Sequence, residues 1–253
     1  MLRFIKLVPK YTMKRVKKTL HLMQHSAITP ASGVINWCFD NYQNLSVIRM
    51  NESPRYPKLK DIDLLVLNGT EEFMEDISFI SEEKKFVQSA IESGVPCLGL
   101  NIGADVLAEA LSEKKSPKSK AQRGWNQVIF NKESETSAVS KLTLSGIQSM
   151  SGFFHRSRRN VLPDECHEIG QTESGETAAF LYGDHVIGMY FAPELNPHTI
   201  STLASYHDIV PQVSADGEKQ KMIIPHDFGN GRHLIDLALD YLIKSGKNNK
   251  RRR

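Results

Sequence analysis

GVPCLGLNIGADVLAEAL, residues 94–111, decides how the rest of the chain is read. Gly94 closes a helical pattern, Pro96 opens an extended run at Cys97–Leu98, and a long helix-forming segment starts at Asn101. Gly99 and Gly103 bracket the change from strand to helix. Glycines on both sides permit a sharp bend that lifts the residue at its apex, Asn101, above the end of a strand. The N–H groups that follow are free to bind an oxyanion. This is the geometry of a nucleophile elbow. Asn also suits such a bend, being one of the few non-glycine residues enriched at positive φ.

Outward from this stretch, strands and helices alternate. Upstream, KTLHLMQHS (18–26), SVIRMNE (46–52) and DIDLLVL (61–67) read as strands, the last nearly continuous in apolar residues, as in a parallel strand covered on both faces. Helices are expected in TPASGVINWCFDNY (29–42) and over residues 82–93. Downstream the rhythm changes. Short β-like pieces (NQVIFN, KLTLSGI), the basic cluster HRSRR (155–159) and a hairpin turning at Tyr182–Gly183–Asp184 precede a last amphipathic helix over residues 231–244. The order predicts an α/β fold: a doubly wound, mostly parallel, flavodoxin-like sheet with helices on both faces, plus a small β-rich extension. Without repeats or a long linker, one domain over residues 18–244 is expected, with basic tails at 1–17 and 245–253.

The chain has 253 residues, 40% hydrophobic and 24% charged, which is enough for one sizeable core and excludes long disorder and fibrous classes. Residues 1–20 carry seven of the 32 basic residues and no acid, and residues 244–253 another six and no acid. That leaves 19 bases against 29 acids in between. Nucleic acid is therefore expected to be contacted, if at all, only through the basic ends. The first sixteen residues fit a plain tail, a transit-type presequence or a mis-assigned start. Cys38, Cys97 and Cys166 lie far apart without metal-ligand spacing, so neither a disulfide framework nor a metal site is expected. No cofactor is implied. A reducing compartment, the cytoplasm, fits best, and no apolar run reaches the ~18 residues that span a bilayer.

Several motifs together resemble one family. GVPCLGLNIGADVLAEAL is similar to the G-x-C-x-G-x-Q stretch of class I glutamine amidotransferases, and FLYGDHVIGMYFAPELNP (180–197) to their strand pair ending in F-H-P-E. LMQHSAITPASG (22–33) resembles the opening strand and loop of the subgroup near the glutaminase part of GMP synthase. LVLNGTEEFMED (65–76) resembles its glycine-bearing oxyanion loop, and RGWNQV (123–128) its GW motif. The likeness covers roughly residues 18–200.

The resemblance implies a Cys–His–Glu triad in which a thiolate attacks the amide carbon of glutamine, His carries the proton to the departing ammonia, and Glu orients the imidazole. Here the nucleophile position holds Asn101 and the base position Ala192, while the orienting acid, Glu194, is retained. The motif's glutamine position holds Asp105. A carboxamide is a poor nucleophile and a methyl group accepts no proton, so the expected protein is a glutaminase-inactive binding, regulatory or scaffolding subunit. It would dock on a synthetase-type partner or hold an anionic or glutamine-like small ligand.

Gly69, Ile102, Asp105, His155 and Arg156 are the candidate ligand contacts. The N–H groups at Gly69 and Ile102 stand at the old oxyanion hole, and the arginine cluster suits carboxylate or phosphate. The plainer reading of HRSRR is a solvated basic loop. Asn101 likewise has a plainer reading, that of a residue keeping the bend without chemistry. The competing reading is an amide or γ-glutamyl hydrolase with relocated catalytic groups, for which Cys97 is the nearest thiol and His155, His185 and His198 are imidazoles by residue type. Lys114, Lys115, Lys118 and Lys120 read as flexible surface.

Overall fold

A computed structural model of the chain describes residues 17–25, 30–52, 54–69, 78–112, 118–130, 147–158, 162–196, 198–199, 202 and 229–250. The amino-terminal half alternates as expected: β1 (Thr19–Gln24), α1 (Ser32–Asp40), β2 (Asn44–Arg49), β3 (Leu64–Gly69), α2 (Ile80–Glu92), β4 (Cys97–Asn101) and α3 (Ile102–Leu111). Then come β5 (Lys118–Phe130), β6 (Ser149–Arg158), β7 (Cys166–Thr172), β8 (Thr177–Tyr182), β9 (Val186–Met189) and α4 (Gly229–Lys250). Among the described residues the strands form one nine-stranded sheet in the order β2-β1-β3-β4-β9-β8-β7-β5-β6. The five strands from β2 to β9 are mutually parallel, and β8, β7, β5 and β6 continue antiparallel. This is the doubly wound α/β fold with a β-rich extension.

Every residue of β3 and of β4 is buried, which requires cover on both faces. Two helix pairs supply it, α2 with α3 and α1 with α4. The second pair is tied by the Trp37 indole N–H donating to Asp240 Oδ1 at 3.0 Å and by Arg232 Nη2 on Asp40 at 2.9 Å. The first pair seats through glycine. A Cβ on Gly103 would stand 2.2 Å from the Leu67 carbonyl oxygen, and one on Gly99 would stand 2.5 Å from that of Gly103. The glycine pair thus lets α3 lie directly on β3 and β4, and it buries every residue of α3 from Ile102 to Ala108. Gly94 ends α2 at φ 71, its N–H returning to Ile91 and that of Val95 to Ala90.

Two expectations need correction. Lys118 and Lys120, read as flexible surface, lie in the first half of a thirteen-residue strand, β5. Nothing in KSKAQR alternates in polarity; this half is a strand because its backbone pairs with β6, through an irregularity between Lys118 and Gln122. The HRSR part of the basic cluster is likewise not a solvated loop but the end of β6, with His155 and Arg156 buried. Strand β7 carried no clear signal in the sequence, and α4 runs to Lys250, six residues past its expected end. Residues 1–16, Lys114, Lys115, Arg159 and most of KLTLSGI lie outside the described residues. No helix among the described residues is long and apolar enough to cross a membrane.

Candidate functional site

The carboxyl ends of the parallel strands meet at one edge of the sheet, where a doubly wound fold places its ligands. Asn101 is the last residue of β4 and immediately precedes α3. Its backbone stands at φ 51, ψ −111, a conformation that disfavours a side chain. Its N–H donates to the Phe191 carbonyl at 3.3 Å, joining the bend to the segment that follows β9. The side chain has no accessible surface, and neither Oδ1 nor Nδ2 finds a hydrogen-bond partner. A buried carboxamide costs stability when unpaired, so this residue is held against two penalties at once.

Ala192 follows Phe191. Its N–H donates to the Phe153 carbonyl of β6 at 2.8 Å, and its methyl group is buried. Two residues on, Glu194 is buried. Its Oε1 accepts from Asn68 Nδ2 at 2.7 Å while Oε2 has no partner. Burial pushes this carboxyl up to about 7, only partly offset by hydrogen bonds from the backbone and from Asn68. Ser32 of α1 donates to the Glu194 carbonyl at 3.4 Å. Gly69, the last residue of β3, pairs in register with Asn101. A Cβ there would come within 2.7 Å of His25 Cβ and 2.9 Å of Ile102 Cγ2, so glycine is a packing requirement. Ile102, buried, opens α3.

Asp105 lies one turn into α3, and its Oδ1 accepts from Arg156 Nη2 at 3.1 Å, both side chains being buried. The guanidinium also stacks over the Tyr190 ring, 3.8 Å from its centroid. Arg156 therefore anchors β6 to α3 and to the end of β9 rather than standing at a solvated rim. His155, its neighbour on the strand, leaves the opposite face of the sheet, so the two do not converge.

The alternative catalytic groups fall elsewhere. Cys97 opens β4, roughly 13 Å from Asn101 at 3.3 Å per residue, with its thiol on the Val95 carbonyl at 3.3 Å. Burial pushes that thiol far up, away from the thiolate. Cys38 and Cys166 are pushed up to about 11 and about 12 by burial. His185 sits at the opening end of β9, its Nε2 on the Ile91 carbonyl at 3.3 Å, at the opposite edge of the sheet from Asn101. His198 is exposed. Among the described residues no group of three His, Cys, Asp or Glu is placed to hold a metal.

Two residues of this edge, Asn68 and His25, escaped the sequence reading. His25 follows β1 directly beneath Gly69. Its Nδ1 is 3.0 Å from the Asn68 carbonyl oxygen, and its Nε2 is 2.9 and 2.8 Å from the two carboxyl oxygens of Glu83 on α2. Its place just past a strand's carboxyl end was the signal that could have found it.

The model of the family described as glutamine amidotransferase class-I matches residues 38–204. The chain belongs to the class I glutamine amidotransferase family. Among its relatives, the HisH subunit of imidazole glycerol phosphate synthase from Methanocaldococcus jannaschii is 26% identical over 149 residues, 52% of this chain and 72% of that protein. The crystal structure of a glutamine amido transferase from Methylobacillus flagellatus superposes with a TM-score of 0.73 at 18% identity, covering 90% of this chain and 95% of that one. A glutamine amidotransferase from Thermotoga maritima gives 0.75 at 16% identity, covering 91% and 100%. At such identities the two structures speak for the amidotransferase fold, and the site must be read from this chain's own residues.

Proposed function

We propose that this amidotransferase-family protein does not hydrolyse glutamine and works as a binding, regulatory or scaffolding subunit. The observation that carries the reading is Asn101, a carboxamide held at φ 51 on the strand-to-helix bend, where the family's motif has its cysteine. Amide hydrolysis by this fold needs a sulfur lone pair to form a bond to the carbonyl carbon, and a base that takes the proton and returns it to the departing nitrogen. The nitrogen lone pair of Asn101 is delocalised into its own carbonyl, and Ala192 offers no lone pair. Only the orienting carboxyl, Glu194, remains, bound to Asn68. Loss of the nucleophile alone from a comparable triad costs roughly 10⁶ in turnover.

Among the described residues, the parts named for the competing hydrolase reading lie away from the bend. Cys97 is a buried thiol at the far end of β4, and His185 belongs to the opposite edge. The complete burial of Asn101 favours scaffolding over an open ligand pocket. The partner class follows from the HisH relative, which is a synthase subunit by name, so a synthetase-type protein is the first candidate here. The three free cysteines suit a reducing, cytoplasmic setting.

Restoring both missing groups with Asn101→Cys and Ala192→His tests the reading. Ammonia release from glutamine by the double variant, and none by the native chain, supports it. Turnover by the native chain overturns it.

A further inference from the structure

Among the described residues, the carboxyl edge of the sheet is crossed by a chain of hydrogen bonds that the loss of the triad does not explain. Glu83 of α2 is fully buried, with both carboxyl oxygens within 2.9 Å of His25 Nε2. The other ring nitrogen faces the Asn68 carbonyl at 3.0 Å, and the backbone N–H of His25 donates to the same oxygen at 2.8 Å. The Asn68 side chain then donates to Glu194 at 2.7 Å. A helix, two strand ends and a loop are thereby joined, from α2 through the ends of β1 and β3 to the segment after β9. We propose that His25 is a positioning residue: its ring, held on the Asn68 carbonyl through Nδ1, fixes the end of β3 so that the Asn68 amide is presented to the carboxyl of Glu194.

The proton inventory supports this role. A carbonyl oxygen only accepts, so Nδ1 of His25 carries a hydrogen. Nε2 faces both carboxyl oxygens of Glu83. Both ring nitrogens are engaged, which holds the ring in one plane and one tautomer. Phe79 stacks on it with centroids 6.2 Å apart, and the absence of a side chain at Gly69 lets its Cβ sit directly beneath β3. Among the described residues a titratable neighbour of Glu83 is Tyr56, whose hydroxyl is pushed up to about 12 by burial and by Glu83 and Glu82. A histidine that merely filled space would leave polar atoms to desolvation.

The inference concerns the same edge as the proposed function but does not depend on whether glutamine is turned over, because it is read on the native chain without substrate. The measurement is the titration of Glu194 by carboxyl-carbon NMR. Asparagine places its amide nitrogen near the position of a histidine Nδ1, and glutamine near that of Nε2. His25→Asn therefore keeps the bond to the Asn68 carbonyl, and His25→Gln loses it while keeping contact with Glu83. Loosening Asn68 removes a donor from the ionised Glu194, so its midpoint rises. The expectation is a rise of roughly 0.7 pH unit, about fivefold in acid constant, in His25→Gln and in Asn68→Ala, with little change in His25→Asn.

Equal midpoints in native, His25→Gln and His25→Asn proteins, with Asn68→Ala shifted, would overturn the positioning role, as would equal shifts in both His25 variants. Should His25→Gln fail to fold, the ring nitrogens of the native chain decide. A hydrogen resident on Nδ1 from pH 5 to 9 supports the role, and a tautomer carrying its hydrogen only on Nε2 overturns it.

Discussion

The side-chain amide of Asn68 donates to Oε1 of Glu194 at 2.7 Å, while Oε2 of the same carboxyl is buried without a partner. In a working triad that acid would face an imidazole. With Ala192 two residues away it faces a neutral amide, which stabilises the ionised form far less than a cation does. Burial dominates, and the carboxyl sits at about 7 instead of its ordinary value of 4.5.

The sign of the resulting pH dependence follows from the direction of that shift. The folded state holds the Glu194 proton more tightly than the unfolded chain, so this group's contribution is fully present below about pH 4.5 and is lost as pH rises through about 7. The loss amounts to about 3 kcal/mol at most. Glu194→Gln keeps an acceptor for Asn68 and removes the charge. The stability difference between variant and native chain, followed by urea unfolding, should move in the variant's favour by a few kcal/mol between pH 5 and 8. A pH-independent difference would contradict the buried-carboxyl account.

Asn101 combines a positive φ with two unpaired buried polar atoms. Asn101→Gly removes both penalties and is expected to raise stability by about 1 kcal/mol, whereas Asn101→Val, β-branched at the same φ, should lower it by roughly 2 kcal/mol or more. Equilibrium unfolding of the two variants checks the pair. A stabilised valine variant would mean that the bend is not formed.

Much of this edge was legible in the sequence, and the reasons are physical. The run from Asp61 to Leu67 and the bend around Asn101 rest on local signals, a continuous apolar run and glycine punctuation, that survive without knowledge of the partner strands. The β-rich extension does not. Residues 118–123 and 155–158 are polar in sequence and become strand through pairing with each other, and Arg156 is buried because Asp105 and Tyr190 stand ready to receive it. His25 reads as a polar residue at the end of a strand until Glu83, 58 positions on, is folded beside it. Long-range pairing of charged groups leaves no periodicity to find.

The glycine pair that seats α3 is intolerant of a single methyl group. In Gly103→Ala the new Cβ would meet the Leu67 backbone carbonyl at 2.2 Å, so α3 must lift from β3 and its buried face loses contact. A loss of about 3 kcal/mol or more is expected in chemical denaturation. Gly175→Ala, with open space around the added atom but φ 77, should cost only about 1 kcal/mol. Similar losses in the two would argue that α3 is not packed on the strand through Gly103.

The buried pair of Asp105 and Arg156 should respond asymmetrically. Arg156→Met takes the cation away from the buried Asp105 carboxyl and is expected to cost about 3 to 5 kcal/mol. The double change with Asp105→Leu should recover most of that loss. Additive losses in the double variant, measured by thermal unfolding, would mean that the two side chains do not interact.

The central claim is that this bend presents no group able to attack an amide. Ammonia release from L-glutamine by the native chain, followed with a coupled dehydrogenase assay at high protein concentration, tests it most directly. The account predicts a rate indistinguishable from that of buffer at every pH between 6 and 9. Saturable release that grows with protein concentration would contradict it.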